Sequence, residues 1–266
     1  MRRVDRVLHM AKTLLLHPYR TFTLTELAGN AGAAKSSLSE DVSLVRESLE
    51  TTLNGTIETI TGAGGGVRFV VGTSPVTRDL LLQKWADRLA DKSRVLPGGF
   101  LYMSDILGDP DVLDMSGRMF AARFCEMNVN VVVTVETKGI PLAVSTARYL
   151  HVPVVVVRRD HKVTEGPSLA THYVSGSERR IQTMTISKRA LPERARALIV
   201  DDFMRAGGTA KAVQSLLAEF AVEVCGTAVF AATAEPIQKL MDTYFALLTI
   251  DSVAEGRDAI VHVTPW

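Results

Sequence analysis

The stretch ALIVDDFMRAGGTA, Ala197 to Ala210, decides the fold. Ala197, Leu198, Ile199 and Val200 read as a strand buried on both faces. Asp201 and Asp202 stand where such a strand ends. Gly207 and Gly208 permit backbone conformations closed to other residues. Thr209 is expected to cap a helix that begins near Ala210 and continues through Val213, Leu216, Leu217 and Phe220. Backbone N–H groups at such a turn, together with a helix N-terminus, form an anion site. Two carboxylates beside an anion site fit a ligand that offers phosphate to the loop and sugar hydroxyls to the acids.

Outward from that stretch the pattern is alternating α/β. Val129–Val135, Val152–Val157 and Val222–Ala231 read as further strands, and Pro141–Leu150 as a helix between the first two. Phe245–Asp251 and Ala259–Val263 are shorter and are expected at the sheet edge. The order predicts a mostly parallel sheet flanked by helices, which binds ligands beyond the carboxyl ends of its strands. Three strand ends carry polar residues: Glu136-Thr137-Lys138-Gly139, Arg158-Arg159 and Asp201-Asp202. Charges at any one strand end are ordinarily solvated surface, but three converging at one edge favour a site. Asp160–Arg196 contains a hairpin reading over His172–Ser175 and Ile181–Ser187. A long excursion at the ligand edge predicts a lid, with Arg179, Arg180, Lys188 and Arg189 as candidate phosphate partners.

The first 73 residues read differently. Val4, Val7, Leu8, Ala11, Leu14 and Leu15 recur at helical spacing up to His17-Pro18. Thr23 to Glu26 matches a capping box for a short second helix. Leu38, Val42, Val45 and Leu49 mark a third. Ser37 and Glu40 form another capping-box match, with an alternative start near Lys35. An alternating hairpin around Gly62–Gly66 follows. Three helices and a glycine-tipped hairpin predict a winged helix-turn-helix, its third helix in the major groove. Lys35, Ser36, Ser37 and Ser39 lie at the N-terminal end of that helix. Arg2, Arg3, Arg6 and Arg68 are further candidate DNA contacts. The competing reading is a small helical dimerisation domain that touches no DNA. Gly72–Val76 reads as a linker, giving domains 1–73 and 74–266. Pro75–Asp91 is expected to be a helix with Leu81, Trp85 and Leu89 on one side. Another spans roughly Pro110–Met127.

Composition bounds the alternatives. The chain has 266 residues, 47% of them hydrophobic, and a net charge of +1, so no global field points to nucleic acid or membrane. Residues 1–37 nevertheless hold six basic residues against Asp5 and Glu26. Cys125 and Cys225 sit inside apolar segments and read as reduced core residues. The six histidines are scattered without metal-ligand spacing, and no metal-binding residues are expected. With no signal-peptide core and no membrane span, the expected location is the cytoplasm.

Ala197–Thr209 resembles the 5-phosphoribosyl-1-pyrophosphate (PRPP) motif of type I phosphoribosyltransferases, and Thr137-Lys138-Gly139 is similar to that family's pyrophosphate loop. The chain as a whole resembles the bacterial purine operon repressors. The resemblance is carried by AKSSLSED (Ala34–Asp41), PGGFLYMSDILG (Pro97–Gly108), TKGIPLA (Thr137–Ala143), VTEG (Val163–Gly166), YVSGSERRIQTM (Tyr173–Met184) and DDFMRAGGT (Asp201–Thr209). It implies an α/β chain: a winged helix followed by a type I phosphoribosyltransferase-like domain that senses PRPP without transferase activity. Asp201 and Asp202 would hold the ribose hydroxyls, and Phe203, Met204, Arg205, Ala206, Gly207, Gly208, Thr209 and Ala210 the 5-phosphate. Thr137, Lys138 and Gly139 would hold the pyrophosphate. Phe100, Glu136, Arg158, Gly176 and Ser177 complete the candidate set. Mg²⁺ would accompany PRPP, held mainly by pyrophosphate oxygens and water. The implied partners are operators upstream of purine genes and a second copy in a homodimer, with guanosine tetraphosphate a further candidate ligand. Arg205 stands where Lys is common in that family, and Phe100 where Tyr is common. The alternative is a purine phosphoribosyltransferase with an appended N-terminal domain, although no hood-sized segment is visible. A third reading is a nucleotide-binding scaffold that does not bind DNA.

Overall fold

A computed structural model describes residues 2–29, 34–52, 55–62, 64–159, 166–174, 181–187 and 189–266. The chain divides into two compact units, Met1–Ser74 with Tyr149–His151, and Pro75–Arg148 with Val152–Trp266.

The first unit contains α1 (Arg3–Leu16), α2 (Leu24–Ala28), α3 (Lys35–Thr52) and the antiparallel hairpin β1 (Gly55–Ile60) and β2 (Gly66–Val71). The Thr23–Glu26 capping box is formed in full. The α3 helix begins at Lys35, so Ser37 already lies within its first turn and cannot cap it. Met10 and Leu14 of α1, Leu27 of α2, Leu38, Val42, Val45 and Leu49 of α3, and Ile57, Val67, Phe69 and Val71 of the hairpin are buried. Helical and two-residue periodicities thus meet in one small core. A bridge between Phe22 and Val67 ties the hairpin to the segment before α2.

The second unit opens with α4 (Pro75–Ala90), a short hairpin of β3 (Val95–Leu96) and β4 (Phe100–Leu101), and α5 (Pro110–Phe124). The buried face of α4 is Leu82, Trp85, Ala86 and Leu89; Leu82 occupies the core position expected of Leu81. Then come β5 (Val131–Val135), α6 (Ile140–Leu150), β6 (Val154–Val157), β7 (Ser168–Val174), β8 (Ile181–Ser187), β9 (Arg196–Met204), α7 (Gly208–Ala218), β10 (Glu223–Thr233), β11 (Phe245–Ser252) and β12 (Ile260–Val263). Six strands form one sheet in the order β12-β11-β10-β9-β5-β6. All neighbouring pairs are parallel except β11 with β12. Every residue of β5 is buried, as a strand covered on both faces requires.

Two expectations are corrected here. β11 is not an edge strand: it lies between β10 and β12, and Phe245–Leu248 are buried. Its apolar run is long enough to be covered on both faces, and β12 alone is the edge on that side. The β7–β8 hairpin is antiparallel as expected, but its strands are not a free lid. Met184 and Ile186 are fully or almost fully buried in the same cluster as Val157, Val213 and Leu217, and Arg158 bridges to Thr185. The hairpin tip, with Gly176, Ser177, Arg179 and Arg180, lies outside the described residues, as does Lys188. Arg189 is exposed.

Candidate functional site

The carboxyl ends of β5, β6 and β9 lie side by side because these strands are adjacent and parallel. The Asp201–Asp202 step closes β9's apolar run. The Asp202 N–H donates to Asp201 Oδ1 at 2.9 Å. Burial, the Asp202 charge and the Asp202 side-chain contact raise the Asp201 pKa well above the usual carboxylate range.

The loop that follows is shaped by Gly207, whose φ of +83° falls in the left-handed region; a Cβ there would also sit 3.2 Å from Met241 Cγ. Gly207 is itself the residue before α7, which begins at Gly208 without a side-chain cap. The expectation that Thr209 caps the helix is therefore corrected. The turn closes two residues early because glycine supplies the positive φ, and Thr209 sits in the first helical turn. The Ala206 carbonyl accepts from Leu240 N–H at 2.8 Å, bracing the loop from below.

Across β5, Gly139 packs directly on Asp201. A Cβ on Gly139 would lie 2.5 Å from Thr134 Oγ1 and 2.8 Å from Asp201 Oδ1. The Glu136–Thr137 peptide is cis. Glu136 Oε1 accepts from Arg159 N–H at 2.6 Å, and Glu136 Oε2 lies 3.5 Å from Arg158 Nη1. Glu136 and Arg158, both named as ligand contacts from sequence, thus join β5 to β6 through each other. The negative charge of Glu136 is matched within the protein.

A cavity of 520 Å³ opens at the carboxyl ends of β9, β10 and β11, with Lys138 of the β5–α6 loop on its wall. Of the residues expected from sequence, Phe100, Lys138 and the whole run Asp201–Ala210 line it. Glu136, Thr137, Gly139 and Arg158 do not line it. Gly176 and Ser177 lie outside the described residues.

The structure adds wall residues that sequence reading missed. Gly98 and Gly99 belong to the β3–β4 turn, Thr233 ends β10 with Glu235 just beyond it, and Asp251 is the penultimate residue of β11. The rule that ligands lie beyond parallel strand ends would have found Thr233 and Asp251, had β11 been recognised as internal. Thr233 Oγ1 donates to the Arg205 carbonyl at 3.3 Å, and Lys239 Nζ donates to the Thr233 carbonyl at 2.6 Å. Burial lowers the Lys239 pKa, with the Arg205 charge adding to it and Glu235 opposing.

The β3–β4 hairpin forms the facing wall, a small cover where no hood was expected. It is anchored by Arg94, which holds Asp105 at 2.6 and 2.7 Å, and by Arg88 on the same carboxylate at 2.9 Å. Hydrogen bonds from Arg94, opposed by burial and reinforced by Arg88, hold the Asp105 carboxyl far below its usual range. The Gly98 N–H donates to Glu255 Oε1 at 2.9 Å. Phe100 at the hairpin tip is 56% exposed, leaving an aromatic face available at the cavity.

In the N-terminal unit Lys35, Ser36 and Ser39 are exposed and Ser37 is half-buried on the first turns of α3. Between α3 and the hairpin lies a hollow of 420 Å³ lined by Ser39, Ser43, Arg46, Thr59 and Gly62 among others. Arg46 spans its base, donating to the Ile57 carbonyl and to Thr59 Oγ1. Arg6 is a correction: it is buried, and its guanidinium holds Asp41 Oδ2 at 2.5 Å, so it joins α1 to α3 instead of facing DNA. Arg3 shares Asp41 at 2.9 Å but keeps 56% of its side chain exposed. Arg68 is paired with Glu58 across the hairpin at 2.8 Å, and Arg2 with Asp5 at 3.1 Å.

Residues 2–71 match a family model described as the N-terminal domain of the bacterial purine repressor, and residues 104–259 match the phosphoribosyl transferase domain. The chain is 42% identical over 252 residues to the purine biosynthesis transcriptional repressor PurR of Bacillus subtilis, covering 95% of this chain and 88% of that protein. The chain belongs to the PurR family. Another PurR relative, named a purine biosynthesis transcriptional activator in Lactococcus lactis subsp. lactis, is 41% identical over 95% of this chain and 93% of that protein. Among solved structures, adenine phosphoribosyltransferase from Rhodothermus marinus superposes with a TM-score of 0.53 at 23% identity, covering 64% of this chain and 99% of that one. The Saccharomyces cerevisiae enzyme gives 0.54 at 20% identity, over 63% and 98%. These structural likenesses identify the fold of the second unit as that of the phosphoribosyltransferases. The PurR-family assignment rests on both halves of the chain.

Proposed function

We propose that this chain is a DNA-binding transcriptional repressor of purine biosynthesis genes, with domains 1–73 and 74–266, whose operator binding is relieved by PRPP. The observation that carries the reading is the single wall formed by Asp201–Ala210 and Lys138, in a chain whose first unit matches the purine repressor N-terminal domain. A carboxylate pair, a run of loop N–H groups and a lysine are the chemistry a phosphorylated sugar needs.

In this reading the Asp201 and Asp202 carboxylates accept the ribose hydroxyls, and the N–H groups from Phe203 to Thr209 bind the 5-phosphate. Lys138 neutralises the pyrophosphate, with Thr137 and Gly139 supplying backbone. Arg158, Gly176 and Ser177 are proposed further contacts, Arg158 with its charge shared with Glu136. Among the described residues no cluster of three or more His, Cys, Asp or Glu side chains is placed to hold a metal. Mg²⁺ arriving with PRPP is assigned to ligand oxygens and water, where it offsets pyrophosphate charge. Guanosine tetraphosphate, which offers the same phosphate chemistry, is proposed as a competitor.

Lys35, Ser36, Ser37 and Ser39 are proposed to meet DNA, with Arg2, Arg3 and Arg68 toward the phosphates. The protein works as a cytoplasmic homodimer in this reading; among the described residues no helix is long and apolar enough to cross a membrane. PRPP relieves binding only through a higher affinity for the DNA-free state than for the DNA-bound one. The test is a gel shift on DNA upstream of purine-synthesis genes. Retardation reversed by PRPP with Mg²⁺ supports the reading. Retardation that PRPP leaves unchanged or strengthens would overturn it.

A second reading, a purine phosphoribosyltransferase, is favoured by one observation: Phe100 presents an exposed aromatic ring to the same cavity as Asp201 and Asp202. Release of pyrophosphate from PRPP with adenine, guanine or xanthine would establish it. We assign no transferase activity.

A further inference from the structure

We infer that α1 carries a self-association face, on which a second copy of this chain packs its own α1 antiparallel. The helix has two apolar sides. One, containing Met10 and Leu14 with Arg6, is buried in its own unit. The other consists of Val4, Leu8 and Leu15, exposed at 67%, 64% and 37%, with half-buried Ala11 between them. At 100° per residue the two sides are about a third of a turn apart. Positions 4, 8, 11 and 15 follow the alternating four-three spacing of a coiled-coil seam. A helix meant only for its own domain needs one such stripe.

The charges select both the occupant and its direction. Asp5 and Lys12 each follow a seam residue and flank the stripe on one side. Val7 and Leu14, which flank it on the other, are uncharged. An antiparallel pairing sets Val4 against Leu15 of the partner subunit and Leu8 against Ala11 of the partner subunit. Asp5 then meets Lys12 of the partner subunit, and two-fold symmetry repeats the pair. A parallel pairing brings each charge against an apolar flank instead. The Asp5 carboxylate is already within 3.3 Å of Arg2 on both oxygens, yet each oxygen retains acceptor capacity for a second donor. A helix of 14 residues presents less than the roughly 800 Å² per partner of a standard interface. The α1 contact therefore joins copies that DNA or another surface already holds close.

The test uses the full chain in two differently tagged preparations, Leu8→Cys and Ala11→Cys, mixed under mild oxidation with and without operator DNA. A mixed disulfide between positions 8 and 11, identified by peptide mass, is expected. Asp5→Lys in both preparations should lower its yield about fivefold or more, and adding Lys12→Asp to the same chains should restore it. Circular dichroism confirms that each variant is folded. No 8–11 disulfide in either condition, or no recovery on swapping the charges, overturns the inference. Sedimentation of the same samples separates this from the homodimer reading: a dimer in samples that fail to form the 8–11 disulfide overturns the α1 contact alone.

Discussion

A side chain on Gly139 would collide with the Asp201 carboxylate, its Cβ falling 2.8 Å from Oδ1. The Thr134 hydroxyl closes the other side at 2.5 Å. The two loops proposed to hold opposite ends of PRPP are thus packed against each other without space for one methyl group. We expect Gly139→Ala to push Asp201 out of place and weaken PRPP binding roughly tenfold or more, within the ~1–3 kcal/mol typical of overpacking. Titration calorimetry measures it, and unchanged affinity would remove the contact from the binding geometry.

Asp201 carries a pH prediction. Its pKa is raised by burial and by Asp202, so the protonated form is favoured in the folded protein. The cost of ionising it appears as pH rises above the ordinary Asp value of about 3.9 and is complete above the raised folded pKa. Asp201→Asn should therefore raise the melting temperature at neutral pH by about 2–4 °C for each kcal/mol relieved. The ionised carboxylate accepts ribose hydroxyls more strongly than the neutral acid, so PRPP affinity should climb with pH through this titration in the native protein and lose that slope in the variant.

Replacing both acids, Asp201→Ala with Asp202→Ala, should abolish the PRPP response and leave operator binding intact. Gel shifts with and without PRPP distinguish this uninducible repressor from a variant that has lost DNA binding while folded. The latter would mean that the two units do not divide the roles as proposed.

The buried Arg6–Asp41 pair is expected to be structural. Burial opposes ionisation of Asp41, but hydrogen bonds from Arg6 and Arg3 outweigh it and hold the carboxyl below its usual range. Its contribution is present above the ordinary Asp pKa and is lost as pH falls through the lowered one. Asp41→Ala should cost about 3–5 kcal/mol by leaving Arg6 buried and unpaired. Arg6→Met combined with Asp41→Leu should recover most of that stability. Thermal unfolding of the first unit reads both.

Lys35 is exposed at the start of α3, and Lys35→Ala should weaken DNA binding and reduce the slope of log K against log salt by about 1. An unchanged slope would take Lys35 off the phosphates.

The ligand loop was legible from the chain alone because its parts are consecutive. An apolar strand, two acids, a glycine turn and a helix need only local backbone chemistry to be recognised, and Asp201–Ala210 line the cavity as one run. The alternation of strand and helix likewise implied a parallel sheet, since parallel neighbours require crossovers. Tertiary structure decided what depended on distant partners. Thr233 and Asp251 reach the cavity because β10 and β11 are stacked beside β9 in the same direction, a neighbour relation that strand patterns do not specify. Phe100 arrives through a hairpin anchored by Arg94 and Arg88 on Asp105. Arg6 and Lys35 look equally available in sequence, yet one is neutralised by an aspartate 35 residues away and buried while the other faces solvent. A cation's availability depends on what the fold places within hydrogen-bond reach of it, and that is set by packing.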